Sequence, residues 1–561
     1  MPAASPELVV RGGTVYDGSG GPPRLGDVAV SGGRVSALGD VRDRAPVEID
    51  ASGLAVAPGF INMLSHAWAS LIEDGRSQSD LRQGVTLEVF GEYIEAPLNE
   101  RLRAECVRRQ GDFKYEITWS TVGEYLDRLA AGGIATNVAS FVPASVVRRY
   151  VVGEDDRRPT PEELERMRGL VNVAMREGAL GVASALIYTP ATFADVDELS
   201  ALASASAKHG GMYVSHLRSE GDRFIEAVDE LIEIARRSRG RAEIYHLKQA
   251  GRDNWGKLDT AIARIEAARA SGTAVTADMY TYNAGATGLD ASLPPWAQEG
   301  GHQKFLARLR DPAVRARVVD EMRRPGIGWE NMLLLAGSAE GVLFSSFKNE
   351  ALRRYTGWTL ARVAAERTRS PEDTIIDLVI EDDSRVGAIY FVMSDDNVRH
   401  QIALPWMSFA SDSASLAPEG LFLQSNPHPR AYGTFARLLG RYVRDERVIP
   451  LEEAIRRLTS LPAENLRIRG RGRLAPGYAA DVVVFDPERV QDHATYERPH
   501  QYATGVHHVL VNGTPVIRDG EHTGAMPGQV VRGPGWPREP GAGRDPYPAW
   551  RSPSCTTVAS R

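Results

Sequence analysis

Two short runs, YVSHLR at 213–218 and IYHLK at 244–248, alternate apolar and polar positions and each bring one histidine to a C-terminal end. The charged, helix-like stretch between them, EGDRFIEAVDELIEIARRSRGR, has the length of a crossover between parallel strands. This pattern constrains the chain more than any other. Strand, crossover helix and strand make a βα repeat, and in a (β/α)8 barrel the chemistry sits where strands end and loops begin. His216 and His246 would share that rim and converge on one metal ion, although neither is local to the other. The plainer alternative is a pair of structural histidines.

Other segments extend the repeat. GVTLEVFGE, TNVASFVP, GALGVASALIY and TAVTADMYTY read as further strands alternating with helical stretches, as parallel βα units do. Residues 8–57 and 470–532 differ from this middle: both are short alternating runs broken by glycine, the mark of antiparallel strands and hairpins. The expected architecture is therefore α/β. A (β/α)8 TIM-like barrel spans 58–469, and a small β-sandwich is built from both chain ends, 1–57 and 470–532. An insertion at about 284–340, carrying the PPW turn at 294–296, interrupts the last barrel strands like a lid. The Pro-, Gly- and Arg-rich tail, 533–561, is expected to wrap the surface or stay disordered.

Charge and cysteine content narrow the function. A formal charge of -7 and the lack of any basic block argue against nucleic acid as a partner. The start MPAASPELVVRGG has no signal-peptide pattern, and no stretch approaches a transmembrane length of apolar residues, so a cytoplasmic protein with no membrane partner is expected. Cys106 and Cys555 are the two cysteines, too few and too separate for a disulfide framework or a thiolate metal cage.

The segments APGFIN, QGVTLEVFGE, GALGVASALIYTP, SHLRSEGDRFIEAVDE, YHLKQAGRDNWGK, VTADMYTYNAGATGLDASLPPW, SDSASLAPEG, HPRAYGTF, TSLPAENL and GYAADVVVFDP occur in this order between residues 8 and 532. In these segments the chain resembles the N-acyl-D-amino-acid deacylase (D-aminoacylase) family of the amidohydrolase superfamily. The resemblance implies a zinc-dependent hydrolase that acts on a non-peptide C–N bond, the amide of N-acyl-D-amino acids. It places two zinc ligands on His216 and His246 and the general acid and base on Asp412. Zinc lowers the pKa of its water, and a carboxylate must take that proton and return it to the leaving nitrogen. Asp412 could otherwise be an ordinary Asx turn or helix cap.

The chain departs from the family pattern at two places. Where His-x-His is usual, this sequence reads Leu64, Ser65, His66, and leucine ligates no metal. No lysine ends GVASALIY, so a carbamylated bridge is not indicated and one tightly held ion is expected. The strand-two cysteine is also missing: GVTLEVFGE ends in Glu92, the expected third ligand, with Glu88 as its competitor. An oxygen in place of a thiolate keeps zinc first but admits manganese, cobalt or iron(II). Lys248 and Arg430 are expected to meet a substrate carboxylate, or else to be solvent-exposed cations. Tyr188 and Tyr282 could donate to a developing oxyanion or simply pack. His66 has three readings: a weak ligand, a substrate contact, or a polar residue at the barrel mouth. Trp296 is expected to help wall an apolar acyl pocket. Three alternatives stand beside deacylation: another amide on the same machinery (a cyclic amide, a D-residue peptide or a natural-product intermediate), acyl transfer, and a metal-free binding protein.

Overall fold

The computed structural model describes residues 5–537. Eight parallel strands form a barrel: Phe60–Asn62, Val85–Phe90, Asn137–Ser140 with Val142–Pro143, Gly181–Ala185, Met212–His216, Arg241–Ile244, Val275–Met279 and Met407–Phe409. The third strand breaks at Phe141, where Phe141 N–H donates to Phe90 O at 2.8 Å and Leu180 N–H to Ser140 O at 2.9 Å, carrying the ladder across the break. Closure joins the eighth strand to the first. Met63 N–H donates to Phe409 O at 3.2 Å, and Ser65 bridges Ser413 in parallel.

The strands are buried along nearly their whole length because both of their faces are covered. Leu87, Val89, Met212, Val214 and Tyr245 fill the barrel interior, while Val182, Tyr213, Ile244 and Val275 face the helices. The helix Phe224–Ser238 joins the two histidine strands. It buries Phe224, Ala227, Val228, Leu231, Ile234 and Ala235 along one face, and Arg236 and Arg237 occupy its last turn, where cations suit the helix dipole. Each large apolar side chain buried there is worth about 1.5–3 kcal/mol.

Nine strands from both chain ends form one continuous sheet. Its seam pairs Ala55–Pro58 antiparallel with Val482–Phe485, registering Val482 on Pro58 and Phe485 on Ala55. Alternation sends Val482 and Val484 into the sheet's own core with Leu8, Val10 and Val30. Val483 and Phe485 point the other way into the barrel's core.

The insertion is larger than expected. It leaves the barrel after Val275–Met279 and returns only at Met407–Phe409. Its frame is a three-stranded antiparallel sheet in which Gly387–Tyr390 lies between Gly285–Gly288 and Val342–Ser346. The boundary expected near 340 therefore falls inside it. The middle strand arrives last in the chain, and the helices Leu360–Arg367 and Pro371–Asp382 that precede it have the same local pattern as barrel crossovers. Residues 533–537 continue along the barrel, with Gly533 N–H donating to Gly178 O at 2.7 Å. The rest of the tail, with Cys555, lies outside the described residues. Among the described residues no helix is long and apolar enough to cross a membrane.

Candidate metal and proton-transfer site

One of the proposed groups closes a strand, and the other three stand on short turns two or three residues beyond one. His216 closes Met212–His216, while His246 lies two residues past Arg241–Ile244 with φ at 34°. A left-handed setting costs a non-glycine residue on the order of 1–3 kcal/mol unless its surroundings hold it. Here Asp278 on the next strand accepts the His246 N–H at 2.7 Å, and its carbonyl accepts the Leu247 N–H at 2.9 Å. Asp412 follows the eighth strand and also has a positive φ, 49°. Glu92 follows Val85–Phe90 by way of Gly91, where a Cβ would come within 1.8 Å of the Tyr245 hydroxyl, so only glycine lets that turn pass.

These side chains meet in a cavity of about 840 Å³ at the C-terminal rim of the barrel. Glu92 Oε1 lies 2.9 Å from His246 Nε2 and 3.3 Å from His216 Nδ1, and the two imidazoles are 4.6 Å apart edge to face. The three residues bring one ligand atom each to within 4.8 Å of one another. Neither ring nitrogen of His216 has a hydrogen-bond partner, although its side chain is only 7% exposed. Buried polar atoms are rarely left unpaired, and a ring whose Nδ1 faces Glu92 while its Nε2 lies 3.6 Å from Glu220 suits a metal ligand. Two histidines and one glutamate make a complete protein donor set for a catalytic zinc site. Glu88 lies elsewhere, accepting from Ser65 Oγ at 2.7 Å and Thr136 Oγ1 at 3.0 Å beneath the rim.

A second group shares Glu92. His66 Nε2 is 2.9 Å from Asp412 Oδ1 and 3.8 Å from Glu92 Oε2, and Arg430 Nη1 is 2.6 Å from Asp412 Oδ2. Burial pushes the Asp412 carboxyl up, but the guanidinium of Arg430 and the imidazoles of His246 and His66 outweigh it and hold the group well below the carboxylate range. Glu92 follows the same logic: burial opposes ionisation, and His216 and His246 more than reverse it. Glu220, four residues beyond His216, is also buried, and the nearby cations bring it down to about 2. It accepts from Lys248 Nζ at 2.7 Å and lies 3.1 Å from His246 Nδ1. Lys248 Nζ is itself 2.6 Å from His246 Nδ1, so Lys248 and Glu220 both meet the ring at that nitrogen, while Nε2 faces Glu92.

The remaining expected residues divide. Lys248 and Arg430 line the cavity but are buried and internally paired, so neither is a free surface cation. Tyr188 lines the cavity beside His216, with ring centroids 5.5 Å apart, and shares a hydrogen bond with Thr287 Oγ1 at 2.7 Å. Tyr282 does not reach the site. Its hydroxyl donates to Asp492 at 3.2 Å and its ring lies under Arg437, because the chain turns after Met279 and presents Tyr280 to the cavity instead. Trp296 is likewise displaced, donating to Glu321 at 2.8 Å under Arg317 within the insertion. Glu220, Tyr280 and Arg385 were missed by sequence reasoning. Only Glu220 carried a signal, as an acid four residues after a strand-end histidine. Arg385 reaches the cavity from the insertion, stacking 4.6 Å over Tyr188 and pairing with Asp290 at 3.0 Å.

Comparison with known proteins shows the family of the chain. The amidohydrolase family model matches residues 47–517. A D-aminoacylase of Alcaligenes xylosoxydans xylosoxydans is 34% identical over 94% of this chain and 97% of its own. An N-acyl-D-glutamate deacylase of the same organism is 32% identical over 94% and 96%. Among solved structures, N-acyl-D-glutamate deacylase from Bordetella bronchiseptica, complexed with zinc and a phosphonate mimic of the tetrahedral intermediate, matches with a TM-score of 0.79 at 29% identity, covering 94% of this chain and 100% of that one. A crystal structure of D-aminoacylase gives 0.77 at 32% identity with the same coverage. With two strand-end histidines, a rim carboxylate and a barrel-end aspartate around one cavity, the chain belongs to the amidohydrolase family, among its N-acyl-D-amino-acid deacylases.

Proposed function

We propose that this chain hydrolyses the amide of small N-acyl-D-amino acids to a carboxylic acid and a D-amino acid, using one divalent ion, zinc first. The observation that carries the reading is the pair of clusters sharing Glu92: a donor set of His216, His246 and Glu92, and beside it an ionised Asp412. A bound ion would polarise the amide carbonyl and acidify the attacking water. Asp412 takes the proton of that water and returns it to the amide nitrogen as the C–N bond breaks. Arg430 and His66 keep Asp412 ionised and aimed, and Glu220, itself held by Lys248, sits where it accepts an Nδ1–H of His246 and leaves Nε2 for the ion. Arg385, with a side chain 42% exposed at the cavity wall, is a cation available to a substrate carboxylate, and Tyr188 beneath it is a hydroxyl donor.

Charge balance supports a single ion. Glu92, Glu220 and Asp412 oppose Lys248 and Arg430, leaving one uncompensated negative charge, which one dication reverses. A second dication would face Leu64 where the family carries a histidine, and an Asp412 already paired with Arg430. The cavity volume favours a second reading on the same residues, in which the amide carries a group larger than acetyl. Hydrolysis of paired N-acyl-D- and N-acyl-L-methionines, from acetyl to longer and aromatic acyl groups, tests both. D-selective release of amino acid supports the deacylase reading. Release from neither enantiomer of any pair would overturn it.

A further inference from the structure

The left-handed backbone at Asp412 needs an external hold, and strand one supplies it. The side chain of Asn62 accepts the Ser411 N–H at 2.8 Å through Oδ1. Its Nδ2 donates to Ser411 Oγ at 2.8 Å and to Asp80 Oδ1 at 3.0 Å. Ser411 Oγ also reaches past Asp412, lying 3.3 Å from both Ser413 O and Ser413 N. One amide thus grips the residue before Asp412 by backbone and side chain, and that serine spans the residue after it. Asp80 accepts from Nδ2 and so decides which end of the amide faces the Ser411 N–H. Asn62, Asp80 and Ser411 are all 0% exposed, so water does not compete for these bonds. Asn62 does not line the cavity.

We propose that Asn62 is a positioning residue for proton transfer, holding the Asp412 carboxylate in register with His66 and the cavity. The inference rests on the reading of Asp412 as the proton shuttle. A displacement of about 1 Å at a reacting group can cost on the order of a hundredfold in rate. In Asn62→Ala the grip is lost: kcat falls by about that factor and the melting temperature drops with the buried groups left unpaired, while metal content stays close to wild type and KM changes less than about threefold. Asn62→Asp removes the amide donor to Asp80 and Ser411 Oγ, and it falls similarly. The exchanged pair, Asn62→Asp with Asp80→Asn, restores one acceptor for the Ser411 N–H and one donor between the two side chains, and it recovers kcat at least tenfold over Asn62→Asp alone.

An unchanged kcat in Asn62→Ala would overturn the inference. So would an exchanged pair no better than Asn62→Asp at equal metal content and melting temperature, or a loss of kcat that tracks loss of metal. If Asn62→Ala does not fold, the comparison of Asn62→Asp with the exchanged pair decides. Asp412→Asn, run alongside, separates the layers: an active Asp412→Asn sinks the shuttle reading itself, whereas an inactive one beside an active Asn62→Ala sinks the positioning role alone.

Discussion

At the scale of single residues, metal holding and proton transfer fall to different side chains. His246→Ala removes a ligand and frees Glu92 and Lys248 from their shared partner, so the purified variant is expected to lose its metal, as read by plasma mass spectrometry. Leu64→Ala changes a side chain that donates nothing and should leave metal content near wild type; equal loss in both would contradict the single-ion site. Asp412→Asn should retain metal and lose on the order of 10²–10⁴-fold in turnover, the usual worth of a positioned proton-transfer group. Tyr282→Phe should leave kcat and KM unchanged and cost about 1 kcal/mol of stability through its bond to Asp492, measurable by denaturant titration. His216, His246, Glu92 and Asp412 were legible because each closely follows a recognisable strand, so local pattern and position coincide. Glu220 and Arg385 were not, because their roles depend on contacts made only after folding.

At the scale of elements, the helix Phe224–Ser238 ties the two histidine strands together by packing its apolar face and by the pair of its Glu230 with Arg218. Leu231→Ala in its buried face should cost about 2–5 kcal/mol in stability while the folded fraction keeps wild-type kcat. A matching fall in kcat for the folded enzyme would mean that the helix does more than support the strands. The barrel strands and this helix were readable from periodicity because each buries a regular face. The insertion was not, since its central strand Gly387–Tyr390 pairs with segments about fifty and a hundred residues earlier, and pairing at that range leaves no local trace. Tyr282 and Trp296 were misplaced for the same reason: the path of the chain after Met279 is set by the insertion's own packing.

At the scale of the molecule, the barrel and the two-ended sheet are one mechanical unit. The strand Val482–Phe485 completes the sheet through Ala55–Pro58 and sends Val483 and Phe485 into the barrel's core, so the C-terminal half serves both bodies. The pairing of the chain's ends was legible because both halves repeat one glycine-punctuated alternation, whereas the register of the seam was not. The cavity this unit supports is proposed to hold one ion between His216, His246 and Glu92, with Asp412 beside it as the proton carrier. The most direct test is to strip the enzyme of metal, titrate zinc back, and follow bound metal and hydrolysis of N-acetyl-D-methionine on the same samples. Activity that rises linearly and saturates at one equivalent is the predicted result, and activity that requires a second equivalent, or that persists without metal, would contradict it.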